Sequence, residues 1–218
     1  MYRAIFKSLF ILLLLLVSST TFAQGLGLRE YKYHFENSRF DITSVDIDIS
    51  DKGEGQLRFK KRDEDEEVLL PIKLSPDTIK RLQSLYDELR FLDSLDNYQA
   101  NAQLANLGTT TLFLKQGERS RSASFNYTDN RSAMQLAALF RAIENQYRRV
   151  EEIKLARQFS PLDLPKHLKN LEEELKRSRI AEPVQIVPVL SDISVDDNAP
   201  LIARNAAGKL IAMIKRGK

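Results

Sequence analysis

Among its 218 residues the chain has no cysteine, no tryptophan and only two histidines. Without cysteine there is no disulfide, no thiol nucleophile, no iron–sulfur cluster, no cysteine-ligated zinc and no thiol to carry a lipoprotein anchor. His34 and His167 lie in different regions, so neither H-E-x-x-H nor a histidine pair at metal spacing occurs. Both read as solvated surface histidines, His34 on the polar side of a strand and His167 on a charged stretch of helix. Aromatics at 8% with no tryptophan argue against a sugar-stacking cleft. No sign of charge dominates, with 33 basic residues against 30 acidic. A nucleic-acid partner, which wants a concentrated basic face, is not expected.

One long hydrophobic run exists, and its position is informative. Arg3 and Lys7 precede an unbroken apolar stretch over 9–17, and Ser18-Ser19-Thr20-Thr21-Phe22-Ala23 ends with small residues at Thr21 and Ala23. That order of charge, apolar run and small residues is a secretory signal peptide. The run is far short of the ~20 residues that span a bilayer. Cleavage is expected after Ala23, with no membrane span afterwards. Arg3 and Lys7 leave with the leader, so 33 basic against 30 acidic becomes 31 against 30. A cysteine-free exported chain fits a bacterial envelope, periplasmic or secreted. On that reading the acceptor-pattern triplets Asn126-Tyr127-Thr128 and Asn130-Arg131-Ser132 are accidental. The remaining residues suffice for one ordinary domain or a small domain with an appendage.

Hydrophobic periodicity orders the rest. Tyr31, Tyr33 and Phe35 alternate with Lys32, His34 and Glu36, and Val45, Ile47 and Ile49 alternate with Asp46 and Asp48. Leu57 and Phe59 continue the pattern after the turn residues Asp51-Lys52-Gly53-Glu54-Gly55. Val68, Leu70, Ile72 and Leu74 share one face of a further strand, and Pro71 within it predicts an edge position or a bulge. Ser75-Pro76 opens a helix as N-cap and first helical residue, with Ile79, Leu82, Leu85, Tyr86 and Leu89 as its buried stripe. A polar loop over 93–107 precedes a hairpin over 109–127. The next helix starts near Asn130 with Leu136, Leu139, Phe140, Ile143 and Tyr147 on one side.

The two stretches align. Gly53, Leu57, Phe59 and Lys60 match Gly108, Leu112, Leu114 and Lys115, and Leu82, Leu85, Tyr86 and Leu89 match Leu136, Leu139, Phe140 and Ile143. They read as two copies of a ββα unit, or as two hairpin–helix pairs that align without common origin. Either way the expected fold class is α+β, an antiparallel sheet with two helices on one face, followed by an all-helical C-terminal extension. Helices are expected over 165–179, 183–193 and 200–214. The last two resemble a single HEAT-type hairpin, which cannot bury its own face and needs a surface to pack on. The expected organisation is a signal peptide at 1–23, an N-terminal segment at 24–41, an α+β domain at 42–149 and a helical extension at 150–218.

A search for chemistry assigns no catalytic, cofactor-binding or metal-ligating residue. Asp46, Asp48 and Asp51 fit neither register of an EF-hand loop, because Asp51 falls where the turn glycine belongs or Lys52 falls on a ligand position. The acidic run at 63–67 reads as a solvated hairpin tip. G-x-S-x-G is absent, and Gly25-Leu26-Gly27-Leu28 lacks the third glycine and preceding strand of a dinucleotide fingerprint. The polar loop Asp96-Asn97-Tyr98-Gln99-Ala100-Asn101-Ala102-Gln103 is the candidate functional loop, against the plainer reading of a helix-to-strand crossover.

Leu74-Ser75-Pro76, Tyr98-Gln99 and the Thr109-Thr110-Thr111-Leu112-Phe113-Leu114-Lys115 hairpin strand together resemble a small domain of exported bacterial proteins without assigned function. The resemblance spans roughly residues 40–147 and implies an exported α+β domain; it transfers no active-site residue. Paired hairpin–helix units also occur in exported inhibitor proteins, an analogy of fold alone. The expected role is a non-enzymatic envelope protein that binds another envelope protein, with no cofactor and the oligomeric state open. The alternatives are a carboxylate-based hydrolase, which would show a deep cleft with carboxylates of raised pKa, and a small-ligand carrier, which would show an apolar pocket between sheet and helices.

Overall fold

The period-two stretches become antiparallel strands in the structure, a computed structural model that describes residues 27–101, 104 and 106–217. The expected leader and its cleavage site lie outside the described residues. The strands are β1 (Arg29–Glu36), β2 (Ile42–Ser50), β3 (Glu54–Lys61), β4 (Glu67–Lys73), β5 (Thr109–Gln116) and β6 (Arg119–Phe125), and the sheet order is β4-β3-β2-β1-β5-β6. Two helices, α1 (Pro76–Glu88) and α2 (Arg131–Phe159), pack on one face. The fold is α+β with a helical extension.

Strand register carries the alternation across the sheet as transverse rows. One row reads Leu70, Leu57, Ile47, Tyr33, Leu112 and Ala123; the next reads Val68, Phe59, Val45, Phe35, Thr110 and Phe125. Both face the helices. The opposite face carries cross-strand polar pairs, among them the Lys32–Asp48 ion pair and the His34–Asp46 hydrogen bond, each at 2.8 Å, which lets an antiparallel sheet stand against water. Pro71 sits in the edge strand β4, where a missing N–H costs no shared ladder.

Caps start the helices where the side chains ask for them. Ser75 Oγ accepts from the Thr78 N–H at 3.3 Å, and the Asn130 side chain accepts from the Ala133 N–H at 3.0 Å. Tyr86 of α1 lies against Tyr31 with ring centroids 5.4 Å apart, and Phe140 of α2 stacks on Tyr33 at 5.0 Å. The aligned positions of the two hairpin–helix stretches are therefore structurally equivalent: each helix sets one aromatic on the central strand. Gly53 and Gly108 are equivalent too, at φ +81 and +79 immediately before β3 and β5. A Cβ there would meet the Leu74 carbonyl oxygen at 2.6 Å or the Glu36 carbonyl oxygen at 2.5 Å, so both turns need glycine.

Two expected boundaries move. Residues 24–41 were expected to precede the α+β domain, yet β1 is a central strand bonded to β2 on one side and β5 on the other. Its alternation identifies a strand, but its central place comes from pairing with segments far apart in sequence. The boundary expected at 150 falls inside α2, which runs unbroken through both regions. Its first half lines the sheet core; Ile153 and Ala156 then join a second core with α3 (Leu164–Lys176), α4 (Val187–Ser194) and α5 (Leu201–Arg216). Ala203, Ala207 and Leu210 of α5 are buried there, so the α4–α5 hairpin finds its surface within the chain.

The helical extension is also tied to the sheet domain. Glu182, 8% exposed, accepts at Oε1 from the Ser75 N–H at 2.8 Å, from Thr78 Oγ1 at 2.5 Å and from the Ser75 hydroxyl. Its own N–H donates to Gln146 Oε1 at 2.6 Å, and the Tyr147 hydroxyl donates to the Lys73 carbonyl oxygen at 2.6 Å. A carboxylate thus sits on the N-terminus of α1, where the helix dipole favours negative charge. Among the described residues no helix is long and apolar enough to cross a membrane.

Candidate functional site

Between the sheet and α2, part of the helix-facing side of the sheet forms the floor of a cleft. Val45, Phe35, Thr110 and Phe125, neighbours in one transverse row, line it together with Tyr33. The wall is the side of α2 carrying Met134, Ala137, Arg141, Glu144 and Asn145, which recur at the three- and four-residue spacings of one helical face. The rim comes from the β1–β2 turn, with Arg39, Phe40 and Asp41, and from residues 126–128 after β6. The cavity volume is about 780 Å³, within the range of small-molecule sites.

Local bonds hold the rim in place. The Asn37 N–H donates to the Thr43 carbonyl oxygen at 2.8 Å, and Asn37 Nδ2 to the Asn106 carbonyl oxygen at 2.9 Å. Arg62 clamps the turn from outside through the Arg39 carbonyl oxygen at 3.0 Å and Asp41 at 2.9 Å. Phe40 remains 44% exposed and tilts against Phe35, ring centroids 6.0 Å apart.

The charged side of the cleft is built on α2. Glu144 is 8% exposed and takes the Arg148 Nε–H at 2.5 Å one helical turn on. Burial pushes its carboxyl above the usual value, and Arg148 pulls against that. Arg148 also reaches Glu152 at 3.1 Å and the Asn145 side-chain oxygen at 2.8 Å. Burial works to raise Glu152 as well, but Arg148 and Arg149 together outweigh it, and that carboxyl lies below its usual range. Tyr33 is 1% exposed and its hydroxyl has no hydrogen-bond partner. Burial pushes that hydroxyl up to about 12, with the charges of Arg141 and Glu144 acting on it in opposite directions. Arg141 is exposed and, among the described residues, makes no ion pair.

No family model matches this chain, and no curated protein matches it. The geometry alone therefore has to indicate what the cleft does.

The residues singled out from the sequence lie elsewhere. Asp46 and Asp48 are the wet face of β2, engaged by His34 and Lys32 across β1. His34 is thus a cross-strand partner and not simply solvated; His167, half-buried, lies 3.8 Å from Glu152. The run at 63–67 caps the exposed β3–β4 tip, where Lys61 meets Glu64 at 2.7 Å. The polar loop at 96–103 is pinned from below: Arg121 bonds the Phe91 carbonyl oxygen at 2.9 Å and the Tyr98 hydroxyl at 3.0 Å, with its guanidinium over both rings. Gln99 Oε1 accepts from the Asn126 N–H at 2.8 Å. These contacts fit the crossover reading of the loop; Ala102 and Gln103 lie outside the described residues. Among the described residues no three His, Cys, Asp or Glu side chains gather as a metal cluster. The cleft residues Tyr33, Phe40, Arg141 and Glu144 were not singled out. The available signal was Glu144, a charge that follows the apolar positions Ala137 and Phe140 at helical spacing.

Proposed function

We propose that this is an exported, non-enzymatic binding protein that holds a small apolar molecule in the cleft between sheet and α2. One observation carries the reading: Phe40, Leu107, Tyr127 and Met134, large apolar side chains left exposed by folding, all line this cleft. Scattered exposed apolar residues need no explanation, but several around one concavity are the lining of a ligand site. The carrier role, an alternative on the sequence alone, is the better supported one here. A carboxylate hydrolase draws less support, since Asp41 is engaged by Arg62 and Glu144 by Arg148. A protein partner on the open sheet face draws less as well, since its charges pair among themselves. The resemblance to exported bacterial domains belongs to this proposal and carries export with it.

Native mass spectrometry of the protein purified from its host's envelope fraction tests the reading. The expected result is a retained small molecule, lost in a Phe40→Ser, Met134→Ser double variant whose unfolding midpoint is unchanged. A stoichiometric envelope protein captured with no small molecule would replace this reading with the protein-binding one.

A further inference from the structure

We infer that the ligand of the cleft is an apolar carboxylic acid, its carboxylate received by Arg141; this rests on the cleft reading above. The polar groups of the lining divide into engaged and unengaged. Asp41 accepts from Arg62 at 2.9 Å, and Glu144 from Arg148 at 2.5 Å. Asn126 is bonded on its side-chain oxygen by Gln99 at 3.1 Å and donates to the Leu104 carbonyl oxygen at 2.7 Å. Thr128 Oγ1 accepts from the Asn130 N–H at 3.1 Å, and the Asn145 oxygen accepts from Arg148. Arg39 donates to the Asn106 side chain.

The unengaged remainder consists of the hydroxyls of Thr110 and Tyr127, which can donate or accept, and one charged group, the Arg141 guanidinium. Arg141 has no ion pair or hydrogen bond among the described residues and is exposed in the lining, whereas the Tyr33 hydroxyl is closed off beneath the floor. Each lining carboxylate is neutralised by an arginine from outside the lining, Arg62 or Arg148, while Arg39 and Arg141 meet no carboxylate. The site keeps positive charge beside an apolar floor of Phe35, Val45 and Phe125. A planar carboxylate matches the guanidinium fork. A cationic head would be repelled by Arg141, and a neutral hydroxyl would gain no ion pair there.

Competition against a neutral fluorescent probe, N-phenyl-1-naphthylamine, tests this on the purified protein. Decanoate is expected to displace the probe at about tenfold lower concentration than decan-1-ol, and decyltrimethylammonium to be weakest. Arg141→Gln is expected to bring decanoate to the level of decan-1-ol without changing the latter. Equal displacement by decanoate and decan-1-ol, or a preference unchanged in Arg141→Gln, overturns the head-group inference and leaves the cleft reading standing. A probe that does not bind, with no heat on titrating decanoate, overturns both.

Discussion

A buried hydroxyl without a partner is a cost, and Tyr33 carries one at the floor of the cleft. Removing it while keeping the ring on Phe140 should stabilise: Tyr33→Phe is expected to gain about 1 kcal/mol in urea denaturation of the ligand-free protein. Arg148 is the reverse case. It holds Glu144 and Glu152 at once, and Arg148→Ala leaves the buried Glu144 unpaired and Glu152 with Arg149 alone, at an expected cost of about 3 kcal/mol. The two carboxyls respond to acid with opposite signs. Glu152, depressed below its ordinary 4.5, contributes stability that is present above that value and lost as pH falls through the depressed folded value. Glu144 is raised, so its contribution is greatest where it is protonated and declines as pH rises through the raised value. Glu152→Gln is therefore expected to be less stable than the parent at neutral pH and to converge with it in acid, read as urea midpoints against pH. Arg148 and Glu152 do not stand out in the sequence, because an arginine four residues from a glutamate is also the ordinary pattern of an exposed helix.

Turns and caps are where the elements are most sharply specified. Gly53 and Gly108 hold φ near +80 with a carbonyl oxygen where a Cβ would sit. Gly108→Ala is expected to destabilise by more than about 1 kcal/mol, and Gly53→Ala similarly, in thermal or urea unfolding. The elements themselves were largely legible. Ser75-Pro76 and Asn130 open helices where capping chemistry requires it, and Pro71 marks an edge strand. The stripes Leu82–Leu85–Tyr86 and Leu136–Leu139–Phe140 are buried as their spacing implies. What periodicity could not supply was order. β1 alternates like any other strand, and only its pairing with both β2 and β5 makes it central.

The molecule holds its two cores together through one long helix and one buried carboxylate. Because α2 serves both cores, truncation at residue 150 would cut the helix that covers the sheet. Glu182→Ala tests the link without that damage. It removes the acceptor for the Ser75 and Thr78 groups at the start of α1, and is expected to speed amide hydrogen exchange in the first turn of α1 while leaving the centre of β1 protected. The α+β class, the helical extension and the cysteine-free core were all legible in the chain, since each rests on composition or on a short periodic segment. The cleft was not. Its floor is a row assembled from β1, β2, β5 and β6, and its wall is a face of α2. Neither exists until register and helix placement bring residues from 33 to 145 side by side, and which polar groups remain unengaged is decided only there.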